Sequence, residues 1–383
     1  MKKHNIVILG AGIGGLCSAI ALGRKGFKVS LYERSTQPQN IGAGLVLWPN
    51  ATHILELLDL HDDIKSMGYT LEKMQRFTDT GEFLNEIDLN IFSSKTNNTN
   101  YAITRNSLQN ILISKLEQYN IKIHFDNCVT SIKSQTNNTA VVHFENGKKI
   151  DADIIIGADG RMNSITRKYV NGNNKPIYQS YVNWVGITNT KTDLDFKKNI
   201  LDYWGCGERF GIVPLSRHCA YWAGCKVIPK GLGEPDIGNK NTLLTIFRHW
   251  PDDIKSIIEL SPEKQIKRIE VYDHNPIPKW HRDNVCLIGD AAHAALPTSG
   301  QGACQAIEDA YYLAECLTNN QAKYRNPENL LTISNIQYAF EQFYKLRSES
   351  TDTITHNARF LTRSIFNTDP EFCKTRNQKA REQ

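Results

Sequence analysis

The sequence predicts an α/β fold: a discontinuous nucleotide-binding domain on a parallel sheet, a β-sheet-based domain inserted into it, and a helical C-terminus. Three observations predict it. The chain opens on a short apolar run, Asn5 to Leu9, that enters a glycine-rich turn and then a helix-forming stretch. Two further apolar runs, Ile154–Gly157 and Val285–Gly289, each lead into an aspartate, Asp159 and Asp290. Between them, from about residue 171 to 269, aromatic residues become frequent, strands short and turns many. A chain of 383 residues has room for two or three domains. We assign residues 1–75, 98–170 and 270–320 to the nucleotide-binding domain. Residues 76–97 and 171–269 form the inserted, substrate-binding domain, and 321–383 the C-terminal helical segment.

The opening stretch reads NIVILGAGIGG. Gly10, Gly12 and Gly15 fit G-x-G-x-x-G, the helical run LCSAIALGRKG follows, and a second strand, FKVSLYE, ends in Glu33. This is the Rossmann-type βαβ fingerprint of a dinucleotide site. Gly10 permits the tight turn, Gly12 lets the backbone approach a pyrophosphate, and Gly15 lets helix pack on strand. The helix N-terminus offers free N–H groups to phosphate oxygens. Glu33 can accept from ribose hydroxyls.

Asn40 to Asn50 is glycine-rich, then apolar, and reads as a loop crossing back over a ligand into a helix over 51–60. Met67 to Leu89 alternates polar and apolar residues around Thr80-Gly81, the sign of a hairpin. Phe92 to Asn100 is a polar loop. Ala102 to Leu116 carries apolar residues at helical spacing and predicts a helix entered through Arg105. Ile121–Phe125 is a strand. Cys128–Ser134 and Thr139–Phe144 read as antiparallel strands across an Asn/Thr-rich loop at 136–139, with a turn at Asn146-Gly147. Lys149–Asp153 leads into the strand at Ile154. Phe210–Pro214 and Cys219–Val227 read as strands, Leu243–Trp250 and Pro251–Leu260 as helices. A helix over Gly302–Leu317 and an amphipathic one over Ile333–Thr362 close the chain. The polar residues after Asn367 predict a frayed end.

Composition excludes several classes. Lys and Arg number 45 against 40 Asp and Glu, a net charge of +5 with the basic residues scattered, so no nucleic-acid partner is expected. Nine cysteines without a C-x-x-C predict no disulfide framework, no metal site and no flavin–disulfide reductase, and point to a reducing, cytoplasmic setting. No secretory leader and no membrane-spanning run is expected.

The later motifs narrow the cofactor. Gly157-Ala158-Asp159-Gly160 is followed by Ser164 and Arg167. Gly289-Asp290-Ala291-Ala292-His293 continues through Pro297, Gly300-Gln301-Gly302, Glu308 and Asp309. Asp290 at a strand end can accept from a ribityl hydroxyl, Pro297 can cover a flavin face, and Gly300 and Gly302 leave room for an isoalloxazine. The helix beginning at Gly302 aims its N–H groups at the flavin's pyrimidine edge. His293 reads as a residue that holds the loop.

With the opening fingerprint, and in this order, these motifs resemble the aromatic-ring hydroxylase family of flavoprotein monooxygenases, the p-hydroxybenzoate hydroxylase-like group. The resemblance covers nearly the whole chain. Gly302-Ala303-Cys304, Ser180–Trp184 and Arg268–Asp273 are most similar to its FAD-dependent urate hydroxylases. It implies bound FAD, NADH or NADPH as a transient reductant, and O2. It extends the cofactor-binding set to Ile13, Arg34, Gly44, Arg105, Val129, Asp159, Gln301, Ala303 and Cys304. It implies substrate contacts from Asn183, Arg209, Tyr221 and Pro297, with Arg209 and Tyr221 as the catalytic candidates. Two departures stand out: Arg161, Met162 and Asn163 separate Gly160 from Ser164 where the family has two residues, and Cys304 replaces the usual asparagine.

The implied activity is a single-component, NAD(P)H-consuming FAD monooxygenase. It hydroxylates a planar aromatic or heteroaromatic ring through a flavin C4a-hydroperoxide, with a urate-like substrate favoured. Two alternatives stay open. One is hydroxylation of a benzoate, a pyridine or a xenobiotic such as a tetracycline. The other is a non-catalytic flavin-binding redox sensor, which the longer loop after Gly160 keeps in view. The expected partners are the substrate and O2, with the chain as a monomer or homodimer.

Overall fold

The computed structural model describes residues 4–38, 43–91, 93, 98–135, 139–233, 237–323 and 332–382. The start of the Asn40–Asn50 segment, most of the polar 92–100 segment and most of the 136–139 loop lie outside these residues.

The first unit is a six-stranded sheet. Its order is His281–Arg282, Val285–Leu287, Ile154–Gly157, Asn5–Leu9, Lys28–Tyr32 and Ile123–His124. All neighbours are parallel except the first pair. The opening run is apolar without alternation because layers cover both of its faces. Ile6 and Ile8 face a core shared with the helices Ile13–Arg24 and Gly302–Lys323. Val7 and Leu9 face a three-stranded antiparallel sheet formed by Val129–Ser134, Ala140–Phe144 and Lys149–Ala152.

The second unit is a seven-stranded sheet. Its order is Lys267–Asp273, Ile177–Asn189, Cys219–Val227, Glu208–Ser216, Asn199–Trp204, Lys73–Thr78 and Phe83–Asp88. One pair is parallel: Lys73–Thr78 runs beside Asn199–Trp204, with Arg76 opposite Asp202. Side chains alternate between the faces. One face carries Trp184, Phe210 and Trp222 and is covered by the helices Asn239–Ile246 and Asp252–Leu260. The second helix turns Ile254, Ile257 and Ile258 inward at helical spacing. The opposite face carries Arg76, Asp202, Arg209, Cys225 and Asn183, which the strand registers place in adjacent rows.

The C-terminal helix Ile333–Ile365 spans 33 residues and begins with a capping box between Thr332 and Asn335. It reaches the second sheet, where Ala358 and Ile365 join a core with Trp204 and Tyr181. Among the described residues, no helix is long and apolar enough to cross a membrane.

Two expectations are corrected. The predicted helix over 102–116 is a strand, Tyr101–Thr104, and then a helix, Arg105–Glu117. Pairing with Gly44–Leu47 claims the first four residues, and Thr104 Oγ1 accepts from Ser107 N at 2.9 Å, which fixes the helix start at Arg105. The end of the chain is not frayed: Pro370–Arg381 is a helix capped by Asp369. Its Arg376 guanidinium is buried and donates to the carbonyls of Ser364, Ile365 and Gly205 at 3.0–3.1 Å. The Asp369-Pro370 pair is a helix-start signal that overall polarity masked.

Arg376→Ala strips three buried carbonyls of their donor. It is expected to cost about 3 kcal/mol in urea unfolding; a change below about 0.5 kcal/mol would show that the last helix is not docked.

Candidate active site

The opening turn is shaped by close approaches. Gly10 sits at φ +105, and a Cβ there would collide with Ala158 O; one on Gly15 would collide with Gly10 O. Helix, turn and third strand can meet only if both are glycine. A Cβ on Gly12 or Gly302, in contrast, meets nothing within 4 Å, so both face open space. Ile13 is the first helical residue, and Gly12 enters it in extended conformation without a side-chain cap. The first N–H groups of that helix are therefore free for an anion. Glu33 Oε2 accepts from Ala11 N at 2.8 Å and Oε1 from Ser35 N at 3.0 Å, which fixes the carboxylate beside the turn. Arg34 is exposed next to it. Val129 begins its strand two residues after Asn127, whose N–H donates to Glu33 O at 2.9 Å.

Arg105 opens the helix that follows the strand Tyr101–Thr104. Burial pushes its guanidinium below its ordinary value, Asp290 opposes that, and nearby Arg161 adds to it. Among the described residues this guanidinium has no hydrogen-bond partner. A half-buried cation near glycines that face open space fits a pyrophosphate-bearing cofactor such as FAD.

The turn after Val285–Leu287 is held from beneath. Asp309, fully buried, accepts from Gly289 N at 2.8 Å, from His293 Nε2 at 2.5 Å and from Arg347 Nε at 2.9 Å. Burial raises the Asp309 carboxyl, but the His293 and Arg347 charges and these bonds outweigh it and hold the group at about 2. Arg347 also pairs with Glu308 and donates to Gln305 Oε1 at 2.5 Å. His293 is spent on this network. Above it, Pro297–Ser299 forms a single 3-10 turn and Gly300 is left-handed. Trp48 Nε1 donates to Gly300 O at 2.9 Å, and Gln301 Oε1 accepts from Asn50 at 3.2 Å. Ala303 is partly buried in the first turn of the next helix. Cys304 is fully buried, bonds Val46 O at 3.5 Å, and has its thiol pushed up to about 12 by burial.

The loop after Gly160 bridges the two units. Arg161 donates from Nε to Asp290 Oδ2 at 3.0 Å and from Nη1 to Tyr272 O at 3.0 Å, linking the ribityl candidate to the second sheet. Asp159 turns inward and accepts from Ser164 Oγ at 2.6 Å and Thr166 N at 3.0 Å. Ser164 caps the next helix, and buried Arg167 donates to Ala291 O and Ala292 O at 2.9 Å. The two residues are thus a cap and a clamp on the 290 turn.

The polar face of the second sheet meets this turn at a cavity of about 490 Å³. Trp48, Trp204, Met74, Ile87 and Leu89 supply its apolar walls; Thr298, Ser299 and Gln301 come from the turn; Arg76, Asp202 and Arg209 are its charged residues. Arg209 Nε donates to Asp202 Oδ1 at 2.6 Å, while Asp202 Oδ2 accepts from Trp204 Nε1 at 2.9 Å. Burial works against the Arg209 charge, and Asp202 more than offsets this, keeping it charged. Of the predicted substrate residues, only Arg209 lines this cavity. Asn183 is buried and its Oδ1 accepts from Cys225 Sγ at 2.6 Å. Tyr221 packs against Gly44: a Cβ on Gly44 would lie 2.5 Å from the tyrosine Cβ. Burial pushes the Tyr221 hydroxyl well above the usual phenol range. Pro297 is exposed beside Thr298. Arg76, Asp202 and Trp204 escaped sequence reading; the period-2 alternation of their strands is the signal that places them on one face.

Comparison with known proteins agrees with this geometry. A family model described as an FAD binding domain matches residues 3–340. The FAD-dependent urate hydroxylase of Mycolicibacterium vanbaalenii is 32% identical over 315 residues, covering 80% of this chain and 78% of its own. The aurachin C monooxygenase/isomerase of Stigmatella aurantiaca is 30% identical over 318 residues, covering 82% and 80%. The crystal structure of Klebsiella pneumoniae HpxO complexed with FAD and uric acid superposes with a TM-score of 0.88 at 25% identity, covering 99% of this chain and 93% of that one.

Asp309→Asn would leave Arg347 short of a counter-charge, at a cost of about 3 kcal/mol at pH 7 in urea unfolding. The folded-state value of about 2 lies below the ordinary 3.8. The carboxylate's contribution is therefore complete above about pH 4 and is lost as pH falls towards 2. The gap between wild type and variant should narrow across that window; a gap that stays constant from pH 7 to pH 3 would contradict this role.

Proposed function

Because the chain belongs to the FAD-binding family of FAD-dependent aromatic and heteroaromatic hydroxylases, and is a flavin monooxygenase that uses FAD, we propose that it is single-component, reduced by NADH or NADPH, and acts on a urate-like heterocycle. The balance is ring–H + O2 + NAD(P)H + H⁺ giving ring–OH + NAD(P)⁺ + H2O. In this reading, residues 1–75, 98–170 and 270–320 hold FAD, 76–97 and 171–269 carry the substrate, and 321–383 buttress both.

The observation that carries the proposal is the cavity between the Thr298–Gln301 turn and the polar sheet face, with Arg209 in its wall. When bound, FAD would supply the redox chemistry that hydride acceptance and O2 activation require. The chain's own residues do the rest. Free N–H groups at Gly12 and Ile13 and the Arg105 guanidinium would take the pyrophosphate, Glu33 the adenosine ribose, and the N–H groups at the Gly302–Cys304 helix start the flavin ring. Trp48 and Trp204 offer flat apolar walls to a planar ring and keep water out. The Arg209 Nη groups, with Nε spent on Asp202, orient the substrate ring. Tyr221 and Asn183, in the same reading, lie deeper along the sheet and shape the approach.

The urate hydroxylase relative and the HpxO complex support a heteroaromatic substrate, and the uric acid bound to HpxO favours the urate-like choice. A benzoate, pyridine or tetracycline-like substrate is the second enzymatic reading. A redox sensor is the third; the Arg161 bridge built by the longer loop is its one structural motive.

Incubation of the FAD-loaded protein with NADH and, in parallel, urate, 4-hydroxybenzoate, 6-hydroxynicotinate and a tetracycline should yield a hydroxylated product from urate above the others, read by mass spectrometry. Product from another ring alone would replace the substrate; stoichiometric FAD without substrate-dependent O2 uptake would favour the sensor. Arg209→Gln is expected to keep its full FAD content and lose roughly 100-fold in kcat/KM; unchanged kinetics would remove Arg209 from the site.

A further inference from the structure

The charges that line the cavity are unevenly paired. Arg209 stands between the ring site and Asp202, and Asp202 has committed one oxygen to Arg209 Nε and the other to Trp204 Nε1. Arg209 is therefore an internally neutralised cation. Arg76 is different. It comes from the neighbouring parallel strand, in register with Asp202, and its guanidinium carbon lies 5.0 Å from the Trp204 ring centroid. Its Nε is buried without a hydrogen-bond partner. Burial pushes its guanidinium below the ordinary value, Asp202 raises it, and Arg209 lowers it again.

A buried guanidinium donor without an acceptor costs free energy, and a ligand oxygen held by the Arg76 fork offsets that cost. Two arginines against one aspartate leave the cavity with one excess positive charge. We propose that Arg76, and not Arg209, is the residue that selects an anionic substrate: it takes the carboxylate or enolate oxygen of a planar aromatic anion, while the Asp202–Arg209 pair sets that ring's orientation. The Trp204 ring beneath the Arg76 guanidinium carbon restrains the fork, and a guanidinium fork suits a two-point contact with a planar anion. Asp202 has the opposite effect on selectivity, since its charge weakens the excess. This assignment rests on the reading of the cavity as the substrate site, although its test does not require turnover.

The test uses the FAD-loaded full chain and reads binding by perturbation of the flavin visible spectrum. The probes are benzoate and 6-hydroxynicotinate beside their neutral amides. Wild type should bind each acid tighter than its amide. Arg76→Gln should lose roughly 10- to 100-fold in affinity for the acids and little for the amides. Arg76→Lys, which keeps the charge, should recover part of the loss. Asp202→Asn should tighten acid binding, an effect of the opposite sign that a change of shape alone does not produce. Equal acid-to-amide preference in wild type and Arg76→Gln overturns the proposal, as does loss of preference in Arg209→Gln with Arg76→Gln unaffected. Hydroxylated product in the ring panel is scored separately. Charge selection lost in Arg76→Gln without any hydroxylation would uphold the anion site and refute the hydroxylase substrate reading.

Discussion

One buried carboxylate carries much of the architecture. Asp309 takes the Gly289 N–H, the His293 ring and the Arg347 guanidinium, three groups from the 289–293 turn and the C-terminal helix. A carboxylate in that position is costly unless every lone pair is used, and here the partners hold it ionised. The result is a fixed platform at the end of the parallel sheet. The turn that follows, Pro297 to Gly302, can then be left open towards solvent and still keep its shape. The same Arg347 anchors a helix whose far end lines the cavity through Leu361 and Ile365. The network that supports the turn thus also sets one wall of the cavity.

The two sheets have different tasks, and their sequences show why. The parallel sheet is apolar on both faces because layers cover both, so its only chemistry is at the strand ends, where Glu33, Asp159 and Asp290 stand. The seven-stranded sheet has one face under helices and one face free to carry charge. Its registers bring Arg76, Asp202 and Arg209 together. Where the two units meet, Tyr221 packs on Gly44, Arg161 bridges Asp290 to Tyr272, and Thr298 bonds Thr362 at 2.8 Å.

What could be read in the sequence follows from how local each feature is. The opening turn was legible because strand, glycines, helix and Glu33 lie within one βαβ unit. Asp290 and the Gly300–Gly302 turn were legible for the same reason. The helix over 370–381 was missed although Asp369-Pro370 announced it, because its polar composition outweighed the cap. The strand Tyr101–Thr104 was missed because its partner, Gly44–Leu47, is more than fifty residues earlier. Arg76 and Asp202 were out of reach for a stronger form of that reason: their strands pair in parallel across more than a hundred residues, and nothing local in MQRF or LDYW sets that register. Arg209 was reached through resemblance, without its partner Asp202. The loop length after Gly160 was visible in the sequence, but the Arg161–Asp290 bridge needed the fold.

If FAD seats as proposed, its reactive edge would face the charged cavity across the Thr298–Gly302 turn. A crystal structure of the FAD-loaded protein tests it directly. The pyrophosphate is expected against Gly12 and Arg105, with the isoalloxazine against Gly300–Gly302 and its reacting edge opening onto the cavity of Arg76, Asp202 and Arg209. An isoalloxazine that lies outside that turn, with the cavity closed off from it by Trp48 or the C-terminal helix, would contradict the account.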